Sequence, residues 1–378
     1  AIVHGPPGTG KTTVLVEVIR AAVARGEKVI ASAPSNLAVD NLVERLAAAG
    51  IDAVRIGHPA RVLPSVIAHT LEMRTRAHES ARIASDLMEE AISLRRSAAK
   101  RKSKRGPGRF SQSREQWREA RSLVNEARAL QDRAQAEVLD RAPVILATLT
   151  GLESRALGGR GFALAVVDEA TQSVEPAVYL ALLRAGRAVL AGDPLQLPPT
   201  VLSDEAAQGG LAVSLFERLA ARHPEAKVTL AEQHRMNEQI MRYPSDALYE
   251  GKLRAHPSVA SHAIDDAPLE FIDTAGRGFE EMTPEGSASK ANIGEAELVA
   301  KEGEALLARG VAPSDIAVIT PYDAQAQRIR AELAAHLDAG LEVDTVDGVQ
   351  GREKDAVVVS LVRSNPDGDL GFLTDIRR

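Results

Sequence analysis

Apolar residues in the first half of the chain come in continuous runs rather than in alternation. "KVIASAP", "PVILATLT", "ALAVVDEA" and "RAVLAGD" are rich in Val, Ile, Leu and Ala, and each run gives way to Pro, Thr, Asp or Gly. A strand that is apolar at every position is covered on both faces, as in a parallel sheet. Such sheets carry their functional residues at the carboxyl ends of the strands. "TTVLVEVIRAAVARG" and "NLAVDNLVERLAAAG" have helical spacing, and each ends at a Gly. From Thr70 to Asp140 the pattern is helical and rich in Ala, Arg, Glu and Ser, with a break at Gly106–Gly108. This predicts a helical arm inserted into the α/β pattern.

After about Lys227 the alternation resumes. "LEFIDT", "DIAVIT", "LEVDTV" and "DAVVVSLV" predict strands; "GEAELVAKEGEALLARG" and "YDAQAQRIRAELAAHL" predict helices. The Gly-, Ser- and Glu-rich stretch Gly276–Asn292 predicts a mobile loop. The fold class expected is therefore α/β with central parallel sheets in two domains. The first is residues 1–228, with the insertion at about 70–140, and the second is 229–378.

Composition narrows the chemistry. No cysteine is present among the 378 residues, which excludes disulfides, thiolate nucleophiles and zinc fingers and fits a reducing compartment such as the cytoplasm. No apolar run approaches the roughly 20 residues that span a bilayer. A phosphate loop, not a signal peptide, occupies the N-terminus. Aromatics make up only 3%, so base-stacking groups are scarce. The net charge of −6 does not advertise a nucleic-acid binder, yet residues 95–109, "RRSAAKRKSKRGPGR", hold eight basic residues and no acidic one. That run is either a phosphate-contacting surface on the arm or a solvated tip.

Gly5-Pro6-Pro7-Gly8-Thr9-Gly10-Lys11-Thr12, followed by Thr13, fits G-x-x-x-x-G-K-[ST]. Its glycines let backbone N–H groups wrap phosphates, Lys11 would reach the β/γ oxygens, and Thr12 would ligate Mg²⁺. "ALAVVDEA" supplies the second acidic site. Asp168 would hold the metal through its waters, and Glu169 would take the proton from an attacking water. A glutamate next to the metal aspartate points to hydrolysis rather than transfer. In "LAGDPLQLPPTV", Gln196 would sense the γ-phosphate or position water on a loop stiffened by Pro-Pro; alternatively the segment is a stiffened turn.

"GPPGTGKTT", "APSNLAVDNL", "ATLTG", "VVDEATQ", "GDPLQLPPT", "EQHRM", "TPYDAQ" and "VDTVDGVQGREKDAVVVSLVRSN" stand in the order seen in superfamily 1B helicases. The chain resembles the up-frameshift-type group, and within it the immunoglobulin-mu-binding-protein-2-like branch. The resemblance implies two RecA-like domains with ATP bound in a cleft and single-stranded nucleic acid across their top. It implies an arginine finger at Arg235, adenine recognition by Gln233, and stacking by His234, where the family usually has Tyr. It implies ribose contact by Glu353, with Gln350 and Gly351 near the phosphates.

For nucleic acid the resemblance points to Pro34, Ser35, Asn36, Thr148, Thr320, Pro321, Tyr322, Thr345 and Ser364. These are residue types suited to phosphate and sugar rather than base edges. Tyr322 is either a stacking platform or a packed turn residue. The activity implied is ATP-dependent 5′-to-3′ translocation or unwinding on single-stranded DNA or RNA, with ATP and Mg²⁺ as cofactors. A nucleoprotein-remodelling clamp would need the same ATPase and stays open. No membrane partner is expected, no partner protein is legible, and a monomer is expected. The family's upstream adenine-contacting glutamine, its β-barrel and its last arginine motif are absent from the sequence, so the chain reads as a motor core cut at both edges.

Overall fold

The computed structural model describes residues 1–102, 109–265, 267–349 and 353–374. The chain forms two compact units. Ala1–His4, Gly10–Asp193 and Pro199–Thr229 make the first; Gly5–Thr9, Pro194–Pro198 and Leu230 onward make the second.

The first unit contains β1 (Ile2–His4), α1 (Lys11–Ala24), β2 (Val29–Ala33), α2 (Asn36–Ala48), β3 (Ala53–Arg55), α3 (Leu71–Ala77), α4 (Glu79–Lys102) and α5 (Arg109–Arg141). It continues with β4 (Val144–Thr148), β5 (Leu164–Val167), α6 (Glu175–Leu182), β6 (Ala188–Gly192), α7 (Asp204–Ala206), α8 (Leu215–Arg222) and β7 (Lys227–Thr229). The strands form one sheet in the order β3-β4-β2-β5-β6-β1-β7, and every pairing is parallel. The continuous apolar runs account for this: every residue of β2 and β5 is buried. Ser32, the one polar residue of β2, is tolerated because its hydroxyl donates to the Ala147 carbonyl at 2.8 Å. Ile30, Ile145, Val167, Leu190 and Phe216 join one core cluster. Ser35 caps α2 by accepting the Ala38 N–H at 3.1 Å.

The inserted arm is an antiparallel pair, α4 against α5. Ala91, Ala120 and Val124 pack between the helices, and the Ser113 hydroxyl donates to the Ala98 carbonyl at 3.2 Å. The Arg95 guanidinium, from the start of the basic run, lies 6.0 Å from the centre of the Trp117 ring. The expected break at Gly106–Gly108 lies outside the described residues.

The second unit contains β8 (Glu232–Gln233), α9 (Glu238–Leu248), β9 (Arg254–Ala255), α10 (Pro257–Ala260), α11 (Ile293–Ala308), β10 (Ile316–Thr320), α12 (Asp323–Glu332), α13 (Ala334–Leu337), β11 (Glu342–Thr345), α14 (Val346–Val349) and β12 (Ala356–Val359). Strands β11-β10-β12 form a parallel sheet, and β8 pairs with β9. Val299, Ile316, Val318, Ile329, Leu333 and Val343 form its core.

Two expectations are corrected here. "LEFIDT" forms no strand, and its Leu269 and Phe271 are exposed. Strand-forming composition is realised only where a neighbouring strand accepts the backbone hydrogen bonds, and among the described residues none pairs with this segment. The stretch Gly276–Asn292 has no helix, but it is not a loose loop. Met282 and Ala291 exchange two backbone hydrogen bonds of 2.7 and 2.9 Å, and Glu281 is buried in an ion-pair network.

Phe216 is fully buried in the first unit's core. Phe216→Ala is expected to destabilise that unit by about 3–5 kcal/mol, through lost burial and a residual cavity. Urea unfolding followed by circular dichroism measures this, and a cost below about 1 kcal/mol would contradict the packing.

Candidate nucleotide and nucleic-acid sites

In the first unit the sheet order brings β1 beside β6 and β6 beside β5, so their carboxyl ends are neighbours. His4 closes β1 and Asp193 follows β6, and His4 Nε2 lies 3.1 Å from the fully buried Asp193. Gly10, with φ of 79°, caps α1 in a left-handed conformation that glycine adopts without strain. The first N–H groups of α1 have no carbonyl partner within the helix itself, and they carry the positive end of the helix dipole. Lys11 is its first residue, and its Nζ lies 3.8 Å from Glu169 Oε1. The Thr12 hydroxyl donates to Asp168 Oδ2 at 2.9 Å. Arg45 Nη1 donates to the Thr13 hydroxyl at 3.3 Å.

The acidic pair is built with some strain. Glu169 has φ of 50°, an uncommon conformation for a residue with a side chain. Its N–H donates to Asp168 Oδ1 at 3.0 Å, and Gln172 Nε2 donates to Glu169 Oε2 at 2.8 Å. Burial pushes the Asp168 carboxyl above its ordinary range, against the Thr12 hydrogen bond and the Lys11 charge. Burial likewise raises Glu169, against Lys11, and the neighbouring Asp168 raises it further.

Mg²⁺ fits this chemistry. A hydroxyl and a carboxylate, both hard oxygen donors, converge where negative charge is buried. Among the described residues no group of three His, Asp or Glu could cage a metal alone. An ion here would complete its shell with phosphate oxygens and water, as Mg²⁺ prefers.

In the second unit, Gly8 has φ of 73°, and its carbonyl accepts the His234 N–H at 2.9 Å. A Cβ at Gly8 would sit 2.6 Å from Arg235 Cβ, so only glycine fits that approach. The Thr9 hydroxyl donates to the Pro6 carbonyl at 2.7 Å, closing the turn that includes Pro7. Gln196 is half-buried within Pro194–Pro198, a segment of this unit.

Gln233 is fully buried. Its amide oxygen accepts the Arg235 and Met236 N–H groups at 2.8 and 2.7 Å, and its nitrogen donates to the Met236 carbonyl at 2.6 Å. It thereby shapes the turn that presents Arg235. The Arg235 guanidinium binds Glu353 Oε1 at 2.5 and 3.1 Å. His234 stacks on His256 with ring centres 4.3 Å apart. Gln350 and Gly351 lie outside the described residues.

The expected nucleic-acid residues divide into two groups. In the first unit, Pro34, Asn36 and Thr148 line a cleft of about 1370 Å³ together with Arg55, Arg61 and Arg76. Ser35 is exposed beside it as the α2 cap, and the Thr148 hydroxyl accepts the Gly151 N–H at 3.1 Å. In the second unit, Thr320 is fully buried, and Tyr322 is packed at 8% exposure. The half-buried Pro321 lies between them. Thr345 is half-buried at the end of β11, and Ser364 is exposed.

Glu281 lies in no quoted motif, and Arg363 lies in the last of them without an expected role, yet the two organise this region. Glu281 accepts from Arg363 Nε (2.8 Å), Lys290 Nζ (2.7 Å), Asn365 Nδ2 (3.2 Å) and the Ser364 N–H (2.9 Å). Arg363 also donates to the Tyr322 hydroxyl at 3.1 Å and to Asp369 at 3.0 Å. Val362, just before it, has φ of 70°, a costly conformation for a β-branched residue. Glu295 holds it there by accepting the Val362 N–H at 3.0 Å.

Residues 1–204 match a family described as AAA domain, and residues 211–378 match a second family of the same description. The chain is 44% identical over its whole length to the DNA-binding protein SMUBP-2 of Rattus norvegicus, covering 39% of that protein. It is 37% identical, again over its whole length, to the DNA polymerase alpha-associated DNA helicase A of Schizosaccharomyces pombe, covering 58% of it. An uncharacterized ATP-dependent helicase of Methanocaldococcus jannaschii is 34% identical, with 100% of this chain and 62% of that protein aligned. The chain thus spans between 39% and 62% of the length of these relatives. Among the described residues no helix is long and apolar enough to cross a membrane.

Burial pushes the Glu281 carboxyl up, but hydrogen bonds from Lys290, Asn365, Ser364 and Arg363 outweigh it and hold the group at about 2, below the ordinary 4.5. A depressed folded-state value stabilises the fold above pH 4.5, and that contribution is lost as pH falls through about 2. Glu281→Gln should therefore lose less stability than the parent over that acid range. Urea unfolding at stepped pH measures it, and an unchanged acid slope would remove Glu281 from the account.

Proposed function

The chain belongs to the AAA-domain family in its superfamily 1B helicase branch, and we propose that it is the ATP-hydrolysing motor core of a helicase acting on single-stranded nucleic acid. The observation that carries this reading is the juxtaposition of Lys11 and Thr12 at the start of α1 with Asp168 and Glu169 at the end of β5. Lys11 and the loop N–H groups bind the triphosphate. Thr12 and Asp168 hold Mg²⁺, which when bound neutralises phosphate charge. Glu169, raised by burial and steadied by Gln172, accepts the proton of the attacking water.

Arg235 acts as the finger on the γ-phosphate, a role worth about 10³–10⁵ in rate. Its partner Glu353 gives it a resting position when nucleotide is absent. Hydrolysis drives alternate closing and opening of the two RecA-like units, and so stepping along the strand. The 5′-to-3′ direction follows from the family resemblance. The names of the relatives, a DNA-binding protein and DNA helicases, support a nucleic-acid substrate.

Contacts from turn and strand-end residues, Pro34, Asn36 and Thr148 in the first unit and Thr345 and Ser364 in the second, suit phosphate and sugar, so binding tolerates any sequence.

Glu169→Gln is expected to keep ATP binding and to lower turnover by at least about 10²-fold. A fluorescent ATP analogue and a phosphate-release assay measure the two properties, and near-normal release would remove Glu169 as the base. Strand displacement on 5′- and 3′-tailed duplexes tests the motor itself. Displacement of the 5′-tailed duplex is expected, whereas strand-stimulated hydrolysis without displacement would indicate a clamp that remodels nucleoprotein.

A further inference from the structure

Arg55 ends β3 inside the first unit and is 1% exposed. Its Nε donates to Asp40 Oδ1 at 2.9 Å, and Asp40 is equally buried. The other Asp40 oxygen accepts the Leu63 N–H at 2.9 Å. Arg55 Nη1 donates to the Ile56 carbonyl, and Nη2 donates to Asn36 Oδ1 at 2.8 Å. Gly57 leaves room for this guanidinium, since a Cβ there would lie 2.9 Å from Nη1.

A guanidinium carries only donors. The atom of the Asn36 amide that faces it must therefore be the oxygen, which settles an orientation that atom positions alone leave ambiguous. The Asn36 nitrogen is then the free end, on a residue that lines the cleft with Pro34 and Thr148. We propose that Arg55 is a positioning residue: it locks Asn36 so that the cleft presents an amide N–H pair, a donor matched to a phosphodiester oxygen. The inference rests on the reading of Asn36 as a nucleic-acid contact.

A buried ion pair is weak grounds for stability, because desolvation offsets the Coulombic gain. Fixing a donor before the ligand arrives is a benefit that an apolar pair could not supply, because the locked amide loses little freedom on binding. Of the charges on the same lining, Arg76 is paired with Glu72, and Arg61 and Arg82 outnumber Asp132, which favours an anionic occupant.

The test is a double-mutant cycle read by fluorescence anisotropy with fluorescein-labelled oligo-dT. Asn36→Ala should weaken binding about tenfold, the worth of a hydrogen bond to a charged group. Arg55→Lys should weaken it comparably in the parent chain and scarcely at all in the Asn36→Ala background. It should lower the melting temperature in both backgrounds, because the buried Asp40 pair is disturbed in each. An equal binding loss in both backgrounds would overturn the positioning role while leaving Asn36 as a contact. If Asn36→Ala binds like the parent, the nucleic-acid reading of Asn36 falls, and the positioning role falls with it.

Should Arg55→Lys not fold, the parent chain answers by NMR. The Asn36 side-chain amide resonance, assigned by its loss in Asn36→Asp, should be rigid before ligand and shift with oligo-dT. A freely rotating amide, or one that ignores oligo-dT, would overturn the proposal.

Discussion

Two carboxylates share one ammonium at the carboxyl end of β5. Asp168 and Glu169 are held against Lys11 where burial raises both acids, and the Thr12 hydroxyl is hydrogen-bonded to one of them. Buried negative charge is costly unless cations offset it, and Lys11 and Arg45 both act against that cost at Asp168. The rest of the first unit holds that buried charge in place. β5 is buried along its whole length, Glu169 is held in a left-handed conformation, and α1 begins at a glycine that leaves its N-terminus open to an anion. Under the proposed function, a metal and a polyphosphate would bring the positive centre and the anion that suit these groups.

The sheet makes the arrangement possible. Strand β1, which leads into the loop, is inserted between β6 and β7, although β2 follows it in sequence. That crossover brings the ends of β1, β6 and β5 side by side, with His4 and Asp193 in contact. Parallel pairing aligns all these carboxyl ends on one edge, so residues far apart in sequence become neighbours without long loops.

Much of this was legible in the sequence because the signals are local. Continuous apolar runs announce covered parallel strands, and the loop and the "VVDEA" strand end each carry their chemistry within a few residues. What was not legible depends on partners distant in sequence. "LEFIDT" has the composition of a strand but no neighbouring edge, and composition cannot report a missing partner. Gly276–Asn292 looked loose because it is rich in Gly, Ser and Glu, yet Glu281 ties it to residues more than 80 positions away. Gln233, expected at a base, also shapes the turn at Arg235, which no local pattern announces. Arg55 offered one clue, a lone cation within the apolar run "AVRI", but its tie to Asp40 and Asn36 is a matter of packing.

Arg55 and Arg363 solve the same problem in separate units. Each guanidinium is almost wholly removed from solvent, and each spends its donors on a carboxylate and on a side chain expected to face nucleic acid: Asn36 in one case, Tyr322 in the other. Exposed ion pairs elsewhere on the chain, such as Arg20 with Glu17, contribute little to stability. A buried pair is weak grounds for stability, because well-packed apolar residues are often as stable, so here its geometry is the more telling property. Arginine suits this task better than lysine, since its planar fork fixes two or three acceptors at once. Sequence-tolerant binding needs no base-reading group, but it does need phosphate contacts set at a fixed spacing. Under the proposed function, buried arginines that immobilise Asn36 and Tyr322 at the starts of helices would supply that spacing from the core outward.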